Sequence, residues 1–197
     1  MGRPREHGES ERAALLQAAA AIMGGEGAVA VTVRRVADQA GTSTRAVYSL
    51  FGDKDGLLSE LFRIGWESMQ RHHEAVPVQA DPVQEILPLA LAYRAGALEQ
   101  PHLYEFALGS LSRASLAADD LAIAFRSFDR VLDALRRCAD SGRFPGRDPL
   151  ATGMQLLALV HGLASLELRG LLGDEKDALA RWRDAVLAAV SGYTKPA

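Results

Sequence analysis

Apolar positions recur every three or four residues along almost the whole chain, the spacing that gives a helix one buried stripe. In residues 9–24 the stripe is Ala14, Leu15, Ala18, Ala19, Ile22 and Met23. Gly24-Gly25 and Gly27 end it, because glycine readily takes the left-handed conformation that terminates helices. Thr32 stands as an N-cap before a short helix over 33–40, with Val33, Val36, Ala37 and Ala40 inward and Gly41 as its breaker. Ser43 or Thr42 caps the next helix, which runs to about Phe51 with Val47 and Leu50 inward. Gly52-Asp53 breaks and caps again before a long helix over 54–75 that buries Leu57, Leu58, Leu61, Phe62, Trp66 and Met69. Pro77 and Pro82 bracket a connection, and helices follow over 83–99 and from Pro101 to about 110. Three more span 117–140 (apolar at Leu121, Phe125, Phe128, Leu132 and Leu135), 150–172 and 175–192. The string VAVTV has local strand character, but one strand without partners is not viable. The pattern predicts an all-α protein, with a small N-terminal unit of three helices and a larger helical body.

The second and third of these helices form a helix–turn–helix. Ala37 is small enough for the close crossing, Gly41 tolerates the turn, and Val36, Val47 and Leu50 lock one helix onto the other. The outer face of the third helix then carries Thr42, Ser43, Thr44, Arg45 and Tyr48. Small hydroxyl side chains let a helix enter a major groove roughly 12 Å wide, while Arg45 can reach a guanine edge or a phosphate. The helix N-terminus also offers unpaired N–H groups to phosphate. The expected surface is therefore one that faces DNA.

Bulk charge contributes nothing to that expectation. The chain has 22 basic and 25 acidic residues, and residues 1–60 hold 7 Lys/Arg against 8 Asp/Glu. DNA binding must come from local placement of cations. Hydrophobic residues at 48% and charged residues at 24% give an ordinary globular composition, and 197 residues suffice for a substantial core. No uninterrupted apolar run reaches the roughly 18 residues of a membrane span, and the polar start MGRPREHGESER is not a signal peptide. A cytoplasmic protein with no membrane partner is expected. The lone Cys138 excludes an intramolecular disulfide and is expected to be a buried structural thiol.

From about Glu11 to Leu58 the residues closely resemble, without a gap, the N-terminal domain of the TetR family of bacterial transcriptional regulators. The resemblance rests on Leu15, Leu16, Ala18, Ala19 and Gly27, then Thr32-Val33-Arg34, Val36-Ala37, Ala40-Gly41 and Ser43, and finally Val47-Tyr48, Phe51-Gly52, Lys54 and Leu57-Leu58. Met23 and Ala28 replace aromatics usual in that family, and Leu50 stands where a histidine is common. The resemblance implies a homodimer whose recognition helices read successive major grooves of a palindromic double-stranded operator. It implies Thr32 and Lys54 as phosphate anchors, Tyr48 as a backbone contact, and Thr42, Thr44 and Arg45 as base readers; Arg34 and Ser43 are carried over with them. Arg3 and Arg5 are candidates for an arm on the DNA backbone or in a minor groove, against a plain basic tail.

The segment ALVHGLASLEL, 158–168, resembles TetR-like C-terminal domains marked by a tryptophan and a following His-Gly pair; His161-Gly162 is present and Leu157 takes the tryptophan's place. The last two helices are expected to form a two-fold interface through Gly162, Ser165, Trp182, Val186 and Val190, or to pack within one subunit. A pocket between the long helices is expected for an apolar or aromatic small-molecule effector. Its candidates are Trp66, Met69, Tyr93, Tyr104, Phe106, Phe125, Phe128, Met154 and His161.

Catalytic and metal chemistry finds little support. His102-x-x-Glu105 offers two ligands where a site needs more, and adjacent His72-His73 read as a solvated helix face. No phosphate loop, nucleophile elbow or carboxylate pair is present, so no catalytic residue, metal or cofactor is expected. Arg136, Arg137, Arg143 and Arg147 are expected to satisfy a helix C-terminus and its loop. The whole divides into a DNA-binding domain, 1–53, and an effector-binding and dimerisation domain, 54–197, connected through the helix at 54–75. The expected function is a repressor released from its operator by a small molecule. An activator or ligand-independent regulator is the alternative, ahead of a helical carrier or enzyme.

Overall fold

Caps and left-handed glycines draw the boundaries that the apolar pattern only outlines. The computed structural model describes residues 3–110 and 118–195. Among these, the elements are α1 (Arg3–Glu26), α2 (Val33–Ala40), α3 (Thr44–Phe51), α4 (Lys54–Glu74), α5 (Val83–Glu99), α6 (Pro101–Ser110), α7 (Ala118–Asp140), α8 (Pro149–Leu168) and α9 (Glu175–Tyr193). A 3-10 turn at Ala28–Ala30 takes the start of the VAVTV string and the cap and first residue of α2 take its end, so no strand forms there. The first helix starts earlier than 9, and α8 stops at Leu168 instead of 172 because Gly170 turns the chain at φ 70. The side chains of Arg3, Arg5 and Leu121, and residue 117, lie outside the described residues.

Two compact units emerge, one joining Met1–Trp66 to Gln100–Ala122, the other joining Glu67–Glu99 to Ile123–Ala197. In the first unit, Leu15, Ala19, Ile22 and Met23 of α1 meet Val36 and Ala37 of α2, Val47 of α3 and Leu57 and Leu61 of α4. Thr32 and Ser43 cap α2 and α3, accepting from the N–H groups of Arg35 at 3.4 Å and Ala46 at 3.3 Å. Gly41, at φ 68, supplies the turn between them. The corner between α3 and α4 is tighter still. A Cβ on Gly56 would stand 2.0 Å from the Phe51 carbonyl oxygen, while the Gly56 N–H donates to Asp53 at 2.8 Å. Arg12 ties three helices together: it pairs with Glu60 at 2.7 Å, donates to the Leu50 carbonyl at 3.4 Å and lies over the Phe51 ring.

In the second unit, α5 packs on α8 and α9. Two carboxylates, one buried and one half-buried, link its helices. Glu85 is fully buried and receives Arg130 at 2.6 Å, Arg137 at 2.7–2.8 Å and the Gln79 N–H at 2.7 Å. Glu167 receives Arg94 at 2.5–3.0 Å and the indole N–H of Trp182 at 2.7 Å. Burial alone would raise the Glu85 pKa, but the bonds from Arg137, Gln79 and Arg130 outweigh it and bring it down to about 2. Arg137 thus serves a buried acid and Arg143 pairs with Asp81, while Arg147 donates to the Tyr193 carbonyl at 3.3 Å and the Gly192 carbonyl at 3.0 Å. Only Arg136, paired with Asp133 at 2.8 Å, stays local to its helix end. Cys138 is buried, and desolvation pushes its thiol up to about 11, which keeps it an unreactive thiol at neutral pH.

The polar residues Thr152, Gln155 and His161 interrupt the apolar run of α8 without ending the helix. By length and composition α8 is therefore long and apolar enough to cross a membrane, although the chain buries only 28% of its 18-residue apolar window. Its uncovered apolar positions are Leu150, Met154 and Leu166.

Gly56→Ala is expected to destabilise the first unit by about 1–3 kcal/mol through the clash with the Phe51 carbonyl, visible as a lower Tm in calorimetry. Glu85→Gln is expected to cost on the order of 3 kcal/mol at pH 7, since two arginines lose a buried anion. The folded-state pKa of Glu85 lies below its ordinary 4.5, so this stabilisation is complete above about pH 4.5 and is lost as pH falls toward 2. Urea midpoints of the two proteins should differ widely at pH 7 and converge on acidification.

Candidate functional site

Helix α3 is fixed from below by Val47, which is fully buried, and its opposite face is open. That face presents Thr44, Arg45, Tyr48 and Ser49 at helical spacing, with Tyr48 55% exposed. Ser49 is absent from the sequence candidates, although it lies four residues after Arg45 and so shares its face. Thr32 and Ser43, both exposed, use their hydroxyl oxygens as caps, which leaves each O–H free to donate outward. Thr42 is placed differently. It is half-buried and donates to the Glu11 carboxylate of α1, so its hydroxyl already has a partner.

Two of the four cations around this face stand against nearby acids. Arg35 forms a two-pronged pair with Glu26 at 2.5 and 2.9 Å, and its hydrogen bond and charge hold the Glu26 carboxyl below its ordinary pKa. Arg34 stands 3.9 Å from Asp38. Arg45, exposed on α3, and Lys54, half-buried at the first position of α4, have no ion pair among the described residues. The surface can therefore offer a phosphate or a guanine edge two uncommitted cations, a phenol and several hydroxyls.

The second unit contains a cavity of about 20 Å³, the space of a single water molecule. Its wall includes His73 of α4, Leu89 and Tyr93 of α5, Phe128 of α7, and Leu156 and Val160 of α8. Of the pocket candidates, Tyr93 and Phe128 line it. Met69 is buried in the same unit beside Gly96, whose added Cβ would sit 3.1 Å from the Met69 sulfur. Trp66, Tyr104 and Phe106 belong to the first unit, where Trp66 packs edge-on against Phe62 at 6.1 Å. Phe125 and Met154 are 70% and 56% exposed, and His161 is half-buried with its pKa lowered by desolvation and by nearby Arg169.

His73 corrects the solvated-pair expectation: it is 2% exposed, while its neighbour His72 pairs with Glu99 at 3.0 Å. The available signal is its register, four residues after Met69 and seven after Trp66. Of the interface candidates, Trp182, Val186 and Val190 are buried within the chain itself, and Gly162 and Ser165 are half-buried. Leu187 is the large apolar residue that α9 leaves uncovered. His102 and Glu105 border a surface groove with Met23, Ala28 and Phe106, and no group of three or more metal-ligating side chains occurs among the described residues.

Comparison with known proteins agrees with this architecture. Residues 15–61 match the family model for bacterial regulatory proteins of the tetR family, and residues 86–190, more than half the chain, match the tetracyclin repressor-like C-terminal domain. No curated protein matches the chain significantly. A protein of unknown function from Rhodococcus sp. RHA1 shares its fold at a TM-score of 0.85 and 23% identity, covering 98% of this chain and 100% of the other. PfmR, a TetR family transcriptional regulator from Thermus thermophilus, aligns at 0.70 and 22% identity over 88% and 97% of the two chains. FadR from Bacillus subtilis, solved in complex with stearoyl-CoA, aligns at 0.74 and 16% identity over 91% and 98%. With one family model on the helix–turn–helix and another across the helical body, the chain belongs to the TetR family of DNA-binding transcriptional regulators.

Proposed function

We propose that this regulator is a homodimeric repressor that a small molecule releases from a palindromic operator. The observation that carries the DNA-binding part is the open face of α3, where unpaired Arg45 stands beside Tyr48 and Thr44 while Val47 anchors the opposite side. Arg45 and Thr44 read bases in the major groove. Tyr48, Lys54, Arg34 and the capping hydroxyls of Thr32 and Ser43 hold phosphates, and Thr42 joins the base readers when Glu11 releases it.

Support for the dimer comes from α8. A helix this apolar and this uncovered needs another surface, and Leu150, Met154, Leu166 and Leu187 are apolar groups free to meet a second copy. Gly162 and Ser165 border them as small residues on α8, while Trp182, Val186 and Val190 brace α9 from within. The boundary near residue 53 and the role of α4 as connector follow from the same reading, since this one helix carries Lys54 at its start and His73 near its end. Ligand release works through populations. DNA fits only dimers whose recognition helices stand about 34–36 Å apart, and a ligand that favours another arrangement of the body withdraws them. FadR, seen with stearoyl-CoA, supports the idea that a body of this fold accommodates a ligand.

Fluorescence anisotropy with the DNA upstream of the protein's own gene, against scrambled competitor, tests the reading. Tight binding at one dimer per palindrome is expected; equal displacement by scrambled DNA would refute it. Arg45→Ala should weaken operator binding by about 1–3 kcal/mol with the dimer intact. With Lys54 and Arg34 as the phosphate-holding cations of each protomer, four per dimer, log K should fall against log salt with a slope of about −4. Met154→Glu should convert dimer to monomer in sedimentation and abolish operator binding with it.

A further inference from the structure

The cavity wall is apolar except where His73 and Tyr93 meet it. Their rings are stacked, with centroids 6.3 Å apart and planes at 28°. Nδ1 of His73 lies 2.7 Å from the carbonyl oxygen of Ser127. A carbonyl can only accept, so Nδ1 carries the proton and, in the neutral ring, Nε2 is left as a bare acceptor. Among the described residues Nε2 has no hydrogen-bond partner. Burial holds the His73 pKa below its ordinary value of 6.5, more than the Ser127 bond raises it, and the positive charges of His72 and Arg130 act in the same direction. The ring is therefore neutral at physiological pH. Arg130 does not line the cavity; its Nη2 serves Glu85 and the Val76 carbonyl, and its Nη1 is buried without a partner.

We propose, resting on the ligand-responsive reading above, that the effector is an uncharged, mainly apolar molecule with one O–H or N–H donor, which it presents to Nε2 of His73. Three features of the wall select it. Apolar surface dominates, so an ionised group would lose its hydration without return. The one acceptor on offer at His73 rewards a donor and repels a carboxylate. Leaving that acceptor buried and unpaired costs about tenfold or more in affinity, which is the discrimination against an analogue lacking the donor. At about 20 Å³ the cavity has room for no more than a water molecule, so α5, α7 and α8 must separate to seat the ligand, and the ligand thereby favours an expanded body.

The test uses the full-length protein at pH 7.5 and the uncharged fluorescent amine N-phenyl-1-naphthylamine as reporter. Its displacement is measured with three competitors of matched chain: 1-decanol, its methyl ether and decanoate. The expected result is that decanol displaces the reporter at least about tenfold better than either of the others. In His73→Phe, which keeps an aromatic ring but removes the acceptor and the bond to Ser127, the alcohol should lose its lead over the ether. The wild-type ranking decides even if that variant fails to fold. Equal displacement by alcohol and ether overturns the proposal, as does absence of any reporter binding. Better displacement by decanoate also overturns it and would point to the free Nη1 of Arg130. The two readings fail separately. An effector that releases the operator equally from wild type and His73→Phe defeats this inference and leaves the ligand-responsive regulator standing. A ranking as expected with operator binding untouched by decanol supports the cavity chemistry and defeats the ligand-responsive reading.

Discussion

The approach of the Phe51 carbonyl to the backbone at Gly56 joins the last turn of α3 to the first turn of α4 with no room for a side chain. Everything on the outer face of α3 inherits its direction from that corner. Asp53 closes it through the Gly56 N–H, and Arg12 clamps it from α1 through Glu60, the Leu50 carbonyl and the Phe51 ring. A rigid corner matters because α3 has only eight residues. A helix so short has too few hydrogen bonds to hold its own course in water, and its orientation must come from its neighbours.

The body is organised by a different principle. Glu85 and Glu167 each gather cationic or N–H donors from other elements, and apolar residues of α5, α7 and α8 line the cavity of the same unit. Charge fixes the frame, while dispersion and exclusion of water fill it. Carboxylates withdrawn from water and partnered in this way add geometric uniqueness more than net stability, because each must repay its own desolvation. A frame pinned at polar points with an apolar interior can open in one region while its register is kept elsewhere.

Much of this was legible in the chain. Helix spacing, the caps at Thr32 and Ser43 and the breakers at Gly41 and Gly52 locate α2, α3 and α4 nearly residue for residue, since these are local effects carried by adjacent positions. The exposed face with Thr44, Arg45 and Tyr48 was legible for the same reason. What escaped depends on partners distant in sequence. Nothing near Thr42 announces that Glu11 will take its hydroxyl, and nothing near Glu85 announces Arg130 and Arg137. His73 looked solvated because a neighbouring histidine is, although its register with Met69 and Trp66 marks the buried side. Phe125 and Met154 show the opposite error: apolar character suggested a pocket, and the chain leaves both in the open. Apolar residues on a long amphipathic helix can serve its own core or another surface, and periodicity cannot choose between the two.

The pairing of Arg35 with Glu26 and of Arg34 with Asp38 bears on how the regulator spends its time in a cell. Proteins rich in free cations adhere to any duplex and travel by sliding along it. Here two of the arginines near the α3 face already stand against acids of their own surface, so a phosphate reaching them has to displace a carboxylate first. Random duplex offers only phosphates in return for that exchange, whereas a matched site also offers base edges to the α3 face.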